Sequence, residues 1–301
     1  MKSLRSVGAL AAAGILAGLL TGNLQAQELT GTLKKIKDSG SITLGARESA
    51  TPFSYALEGS TFTGYSYEIM LRVVDRIKTE LKLPNLKVQV IPFAAQNRIP
   101  LMVNGTLDFE CTSTTNNLER QQQVSFSNSI FIIGTKLVTP KDSGIKDFDD
   151  LKGKNVATTA GTTSERLLNK INETKGLGLN VMAARENSQA FLSVESGRAV
   201  AFMMDDAILY GERAKSKSPE KWAVVGTAQS REAYGCMMRK DDAPFKKLVD
   251  SALADMMKSG EMTKLYAKWF EGPIPPRQTS LNFPMSEDVK QLFAHPNDKA
   301  L

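Results

Sequence analysis

The chain has 301 residues, 42% hydrophobic and 23% charged, with 38 Lys and Arg against 32 Asp and Glu for a formal charge of +6. This is an ordinary globular composition, long enough for two domains with a substantial core. A single His, His295, argues against a Ser-His-Asp triad or a multi-His metal site, and two Cys exclude a four-thiolate zinc site or an iron–sulfur cluster, so no metal and no cofactor are expected.

Residues 1–26 read as a secretory signal peptide. Lys2 and Arg5 form its basic start, Val7 to Leu20 its apolar stretch, and Leu24-Gln25-Ala26 its cleavage point. The apolar run falls short of the ~20 residues needed to span a bilayer. Loss of Lys2 and Arg5 lowers the net charge from +6 to +4, too mild and dispersed to suggest nucleic acid. Export places Cys111 and Cys236 in an oxidising compartment, where an even count favours a disulfide.

Beyond the leader, short apolar runs alternate with amphipathic stretches. Ser41 to Ala46 reads as a strand, and Tyr67 to Leu83 as a helix with Ile69, Val73, Ile77 and Leu81 on one face. A strand over Lys87 to Pro92, a short helix over Asn97 to Asn104 and a strand over Thr106 to Cys111 follow. After an extended stretch from Ser129 to Leu137 the pattern restarts. Strands are predicted at Asn155 to Thr159, Leu179 to Ala183, Ala199 to Met204 and Trp222 to Val225. Helices are predicted at Ser164 to Glu173, Ser188 to Ser196 and Asp206 to Ser216. Continuous apolar strands in such alternation predict mostly parallel sheets flanked by helices. Two lobes are expected, residues 27–135 with 238–301 and residues 136–237, joined by crossovers near Gly134–Val138 and Gly235–Arg239. Helices over Ala243 to Ser259 and Met262 to Phe270 return to the first lobe, and the proline-bearing tail from Gly272 is expected to wrap the surface as extended chain.

In open sheets, ligands bind beyond the carboxyl ends of parallel strands. There the chain places Arg47, Arg98, the run Thr112-Ser113-Thr114-Thr115, Arg120, the turn Gly161-Thr162-Thr163-Ser164, and Asp205 with Asp206. Arginine forks match carboxylates, a helix start offers backbone N–H groups to an anion, and Asp205 can balance an ammonium. Arg47, Arg98 and Arg120 with Asp205 carry two net positive charges, which favours an acidic amino acid in a closed cleft. Glu48, Glu110 and Asp206 would alter that count if they faced the site. Each feature alone has a plainer reading: Arg47 or Arg98 as a surface ion-pair residue, Asp205 as a helix cap, Phe53 and Tyr55 as packing. Ser218-Pro219-Glu220-Lys221 has Ser-x-x-Lys spacing without the companion motifs of a β-lactamase.

These residues carry a resemblance. Arg47-Glu48-Ser49, Pro52-Phe53-Ser54-Tyr55, Gln96-Asn97-Arg98-Ile99-Pro100-Leu101, Ser113-Thr114-Thr115-Asn116-Asn117, the Glu195–Asp206 stretch and Ala233-Tyr234-Gly235-Cys236 are the matching segments. The chain resembles the periplasmic solute-binding proteins of polar amino-acid ABC importers, family 3, and among them the glutamate/aspartate binders. The resemblance implies a two-lobed fold of type II that closes on an amino acid without catalysis, a monomer that delivers L-glutamate or L-aspartate to an inner-membrane permease. It implies that Arg120, with Thr115 and Thr163, grips the α-carboxylate, and that Asp205 and Ser113 hold the α-ammonium. Arg47 and Arg98 would face the side-chain carboxylate, and Cys111 and Cys236 would be bonded. Ala95 and Asn187 stand where the pattern has a serine and a histidine at the side-chain subsite, which keeps glutamine or asparagine open as ligands. The other alternative is an enzyme on the same scaffold, a cyclic carboxylic acid dehydratase, with Glu110 or Glu48 as its general acid.

Overall fold

The computed structural model describes residues 29–58 and 61–301, so the expected signal peptide lies outside the described residues. Two five-stranded sheets organise the chain. The first runs, in spatial order, Lys87–Pro92, Ser41–Ala46, Phe109–Glu110, Glu232–Arg239 and Val124–Ile133. The second runs Asn180–Ala184, Asn155–Thr159, Ala201–Asp205, Thr135–Pro140 and Trp222–Val225. In each, the first three strands and the fifth run the same way and only the fourth is reversed, so the sheets are mostly parallel with one antiparallel strand. The antiparallel pairs arise because the strands that cross between sheets run out of one and straight into the other.

The first crossing is at Gly134, between Val124–Ile133 and Thr135–Pro140. The second ends by Glu232, upstream of the expected return at Gly235–Arg239: that whole stretch is already paired with Val124–Ile133. Its buried, unbroken apolar run marks it as an interior strand. The two crossings are tied together, with Gln229 N–H donating to Thr135 O at 3.0 Å and a 2.7 Å hydrogen bond between the Thr135 and Ser230 hydroxyls.

Helix Tyr65–Leu81 buries Ile69, Met70, Val73, Val74 and Ile77 against the first sheet's core, beside helix Ala243–Lys258. Beneath the junction of the lobes, Phe53 packs edge-on against Phe131 at 4.9 Å and Tyr234 at 5.0 Å, while Tyr55 packs edge-on against Trp269. Both Phe53 and Tyr55 are core residues. Cys111 and Cys236 form a disulfide within the first sheet, closing a sequence separation of 125 residues. The tail is not simply extended. It forms helix Glu287–Ala294, which buries Val289, Leu292 and Phe293, and the chain beyond lies on the first lobe through Asn116 Nδ2 donating to Asp298 O at 2.8 Å.

Candidate functional site

The strand ends named from sequence meet between the two sheets. Arg47, Arg98, Ser113, Thr115, Arg120, Asn187 and Asp205 are all buried, although none belongs to the apolar core. Thr163 opens helix Thr163–Lys175 beside them.

Arg98 is held rigidly: Nε donates to Ala95 O at 2.9 Å, and Nη1 to Thr114 Oγ1 at 2.7 Å and Ser113 O at 3.2 Å. Burial pushes its pKa down to about 9, and the charges of Arg120 and Arg47 push it further the same way. Arg98 thus feels the positive charge of both Arg120 and Arg47. Arg120 donates from Nη1 to Thr115 O at 2.9 Å; burial likewise lowers its pKa, against the pull of Glu232, Glu110 and Asp205.

Asp205 closes its strand at the edge of the site. Its carboxylate accepts from Ser164 Oγ at 2.9 Å and from the Tyr234 hydroxyl. Burial and the Glu232 charge raise its pKa to about 7, which the bonds from Tyr234 and Ser164 only partly offset. The bond to Tyr234 also links the site to the aromatic cluster below.

Three buried carboxylates join the set. Glu110 accepts from Thr112 at 2.7 Å and Thr114 at 2.6 Å, and burial raises its pKa. Glu232 accepts from Thr115 at 2.6 Å and from Thr163 at 2.7 Å, bridging the lobes. Glu186, from the second lobe, pairs with Arg47 of the first at 3.0 Å. With Glu110, Glu186 and Glu232 included, four buried acids face three buried arginines, so the sequence count of two net positive charges does not hold. Sequence reasoning missed Glu186 and Glu232 because acidic side chains are normally exposed; only their positions beside Asn187 and at the start of an apolar strand hinted otherwise. For the dehydratase alternative, Glu48 is exposed and both oxygens of Glu110 are taken by hydroxyls.

The expected anion site at Gly161-Thr162-Thr163-Ser164 is partly used by the chain itself. Gly161 N–H donates to Glu165 Oε2 at 2.7 Å, and Glu165 N–H to Thr162 Oγ1 at 3.1 Å. Each threonine hydroxyl at Glu232 has likewise given up its one proton, so elsewhere it offers lone pairs only.

The lobes are in close contact around this cluster. Asn187 N–H donates to Ser49 Oγ at 3.1 Å and its Nδ2 to Ser49 O at 2.9 Å, while its Oδ1 accepts from Thr159 at 2.6 Å. A Cβ on Gly161 would lie 2.5 Å from Gln96 Cα, and one on Gly211 would lie 2.2 Å from Thr51 O. Backbone of one lobe therefore approaches backbone of the other where only hydrogen fits.

Two α/β lobes, crossed twice by the chain and closed over a cluster of buried charges, define a bilobed binding protein. Residues 42–272 match the model of the bacterial extracellular solute-binding proteins, family 3, and the chain belongs to that family. It is 57% identical over 298 residues to the L-glutamate/L-aspartate-binding protein of Pseudomonas aeruginosa, covering 99% of each chain. It is 50% identical to the glutamate/aspartate import solute-binding protein of Escherichia coli K12 over the full length of both. Among solved structures, an ancestral amino acid-binding protein described as a precursor of cyclohexadienyl dehydratase superposes with a TM-score of 0.68 at 29% identity, over 79% of this chain and 99% of that one. Among the described residues no helix is long and apolar enough to cross a membrane.

Proposed function

We propose that this protein captures an acidic amino acid, L-glutamate or L-aspartate, between its lobes for ABC-type import. It acts in the periplasm after cleavage near Ala26, as a monomer whose closed form docks on an inner-membrane permease. The observation that carries the reading is that Arg47, Arg98 and Arg120, far apart in the sequence, are all buried where the two lobes meet. The names of the relatives from P. aeruginosa and E. coli support it.

In this reading Arg120 grips the α-carboxylate, and Thr115 and Thr163 turn their protons to it from Glu232. Asp205 and Ser113 take the α-ammonium, and the side-chain carboxylate lies toward Arg98 and Arg47, with Asn187 at the same end. The two moving bodies are proposed to exchange at the crossings, so that residues up to 133 and from 232 onward move as one and the second sheet, Thr135–Pro140 to Trp222–Val225, with its helices moves as the other, in place of the expected boundaries 27–135 with 238–301 and 136–237.

Isothermal titration calorimetry with L-glutamate, L-aspartate, L-glutamine and L-asparagine tests the proposal. Tight binding of the acidic pair, with thermal stabilisation that grows with ligand concentration, is expected. A protein that responds to none of the four refutes it.

A further inference from the structure

Glu186 stands immediately before helix Asn187–Glu195 of the second lobe, yet its carboxylate rests against the first. Oε2 accepts from Arg47 Nη2 at 3.0 Å and from Ser49 Oγ at 2.8 Å. Arg47 is 1% exposed and Glu186 6% exposed, so the pair is closed off from water. A buried guanidinium without a counter-charge is costly, and in this closed arrangement the protein supplies the counter-charge itself.

The pair is not saturated. Arg47 Nε and Glu186 Oε1 are buried without a hydrogen-bond partner. One is a donor and the other an acceptor. A carboxylate brings only acceptors, whereas a side-chain amide brings both a carbonyl and an NH2 group.

We propose that Glu186 is a specificity-determining residue: by giving Arg47 an internal carboxylate, it lets the closed lobes accept amino acids with a side-chain amide as well as those with a side-chain carboxylate. This rests on the reading that Arg47 lies at the side-chain end of an amino-acid site. With Glu186 neutralised, closure buries Arg47 uncompensated unless the guest carries its own carboxylate. An acidic guest does and an amide guest does not, so the change falls on the amides.

The test is calorimetry of the wild type, Glu186→Gln and Glu186→Asp with L-glutamate, L-glutamine, L-aspartate and L-asparagine. Glu186→Gln keeps the size and an acceptor but removes the charge; Glu186→Asp keeps the charge. Measurable amide binding by the wild type is expected, with an acidic-to-amide affinity ratio that rises about tenfold or more in Glu186→Gln, the order of one lost hydrogen bond to a charged group. Glu186→Asp is expected to stay within about threefold of the wild-type ratio, well inside that same margin. Ser49→Ala, which removes a neutral partner from the same contact, should weaken both ligand classes by a common factor. A ratio unmoved or lowered in Glu186→Gln, or a wild type that binds acids but no amide, overturns the role of Glu186. A wild type that binds none of the four refutes the underlying amino-acid site instead.

Discussion

Asp205 makes binding pH-dependent. Its pKa of about 7 lies above the 3.8 of a free aspartate, chiefly because burial disfavours the charged form and Glu232 repels it. The unliganded protein therefore holds this proton more tightly than an unfolded chain. The stability this confers is complete below pH 3.8 and is lost as the pH rises through about 7. An α-ammonium beside Asp205 reverses the preference by favouring the carboxylate, so binding below pH 7 must expel the proton. If Asp205 stays ionised in the complex, lowering the pH from 7.5 to 5.5 weakens Kd by about 25-fold, from the fraction of carboxylate available. At pH 6.5 about three-quarters of a proton should be released per ligand bound, which calorimetry in buffers of different ionisation enthalpy reads directly. Neither carboxylate of a free acidic amino acid titrates in this window, and His295 is exposed in the tail. Asp206, held up to about 6 by burial, is the neighbour to control for. Asp205→Asn should abolish the slope and Asp206→Asn should leave most of it. A Kd constant across the window, or proton uptake on binding, would refute the reasoning.

Arg120→Ala should weaken every amino-acid ligand by more than about a hundredfold by calorimetry, since it removes a charged donor from the proposed α-carboxylate contact; retained affinity would place the carboxylate elsewhere. Gly211→Ala puts a methyl group 2.2 Å from Thr51 O across the lobes. That clash with backbone outweighs the roughly 1 kcal/mol by which Ala is the better helix former, so the melting temperature should fall and Kd should weaken together; an unmoved melting temperature with unchanged affinity would mean that the lobes do not meet at this contact in solution. Replacing Cys111 and Cys236 by serine frees a 125-residue separation, for a loss of about 3–5 kcal/mol and a fall in melting temperature on the order of 10 °C by calorimetry. An unmoved transition would show that the bond contributes little.

Where apolar periodicity was strong, the fold was legible. Strands Ser41–Ala46, Lys87–Pro92 and Trp222–Val225 lie where their patterns predict them, and the predicted helices differ from the observed ones by a few residues at their ends. Thr106 to Cys111 shrank to Phe109–Glu110 because Asp108 is drawn to other partners: its carboxylate accepts from Lys35 at 2.7 Å and Thr43 N–H at 2.9 Å. Helix Gly31–Ser39 was missed; it carries few apolar residues, and only Thr32, Leu33 and Ile36 are buried. The arginines of the proposed site were legible because Arg47 directly follows a strand and Arg98 and Arg120 lie on the short helices that come after strands. The acidic half was not, because Glu186 and Glu232 acquire partners only when distant segments meet: Arg47 lies 139 residues from Glu186, and Thr115 lies 117 from Glu232. The missing carboxylates also explain why charge arithmetic from sequence misjudged the site.

A crystal structure of the protein grown with L-aspartate or L-glutamate tests the central claim most directly. The account predicts one amino acid enclosed between the sheets, its α-carboxylate within hydrogen-bond distance of the Arg120 guanidinium, its ammonium on Asp205 and its side chain toward Arg98. An amino acid bound outside that cluster, or touching only one lobe, would contradict it.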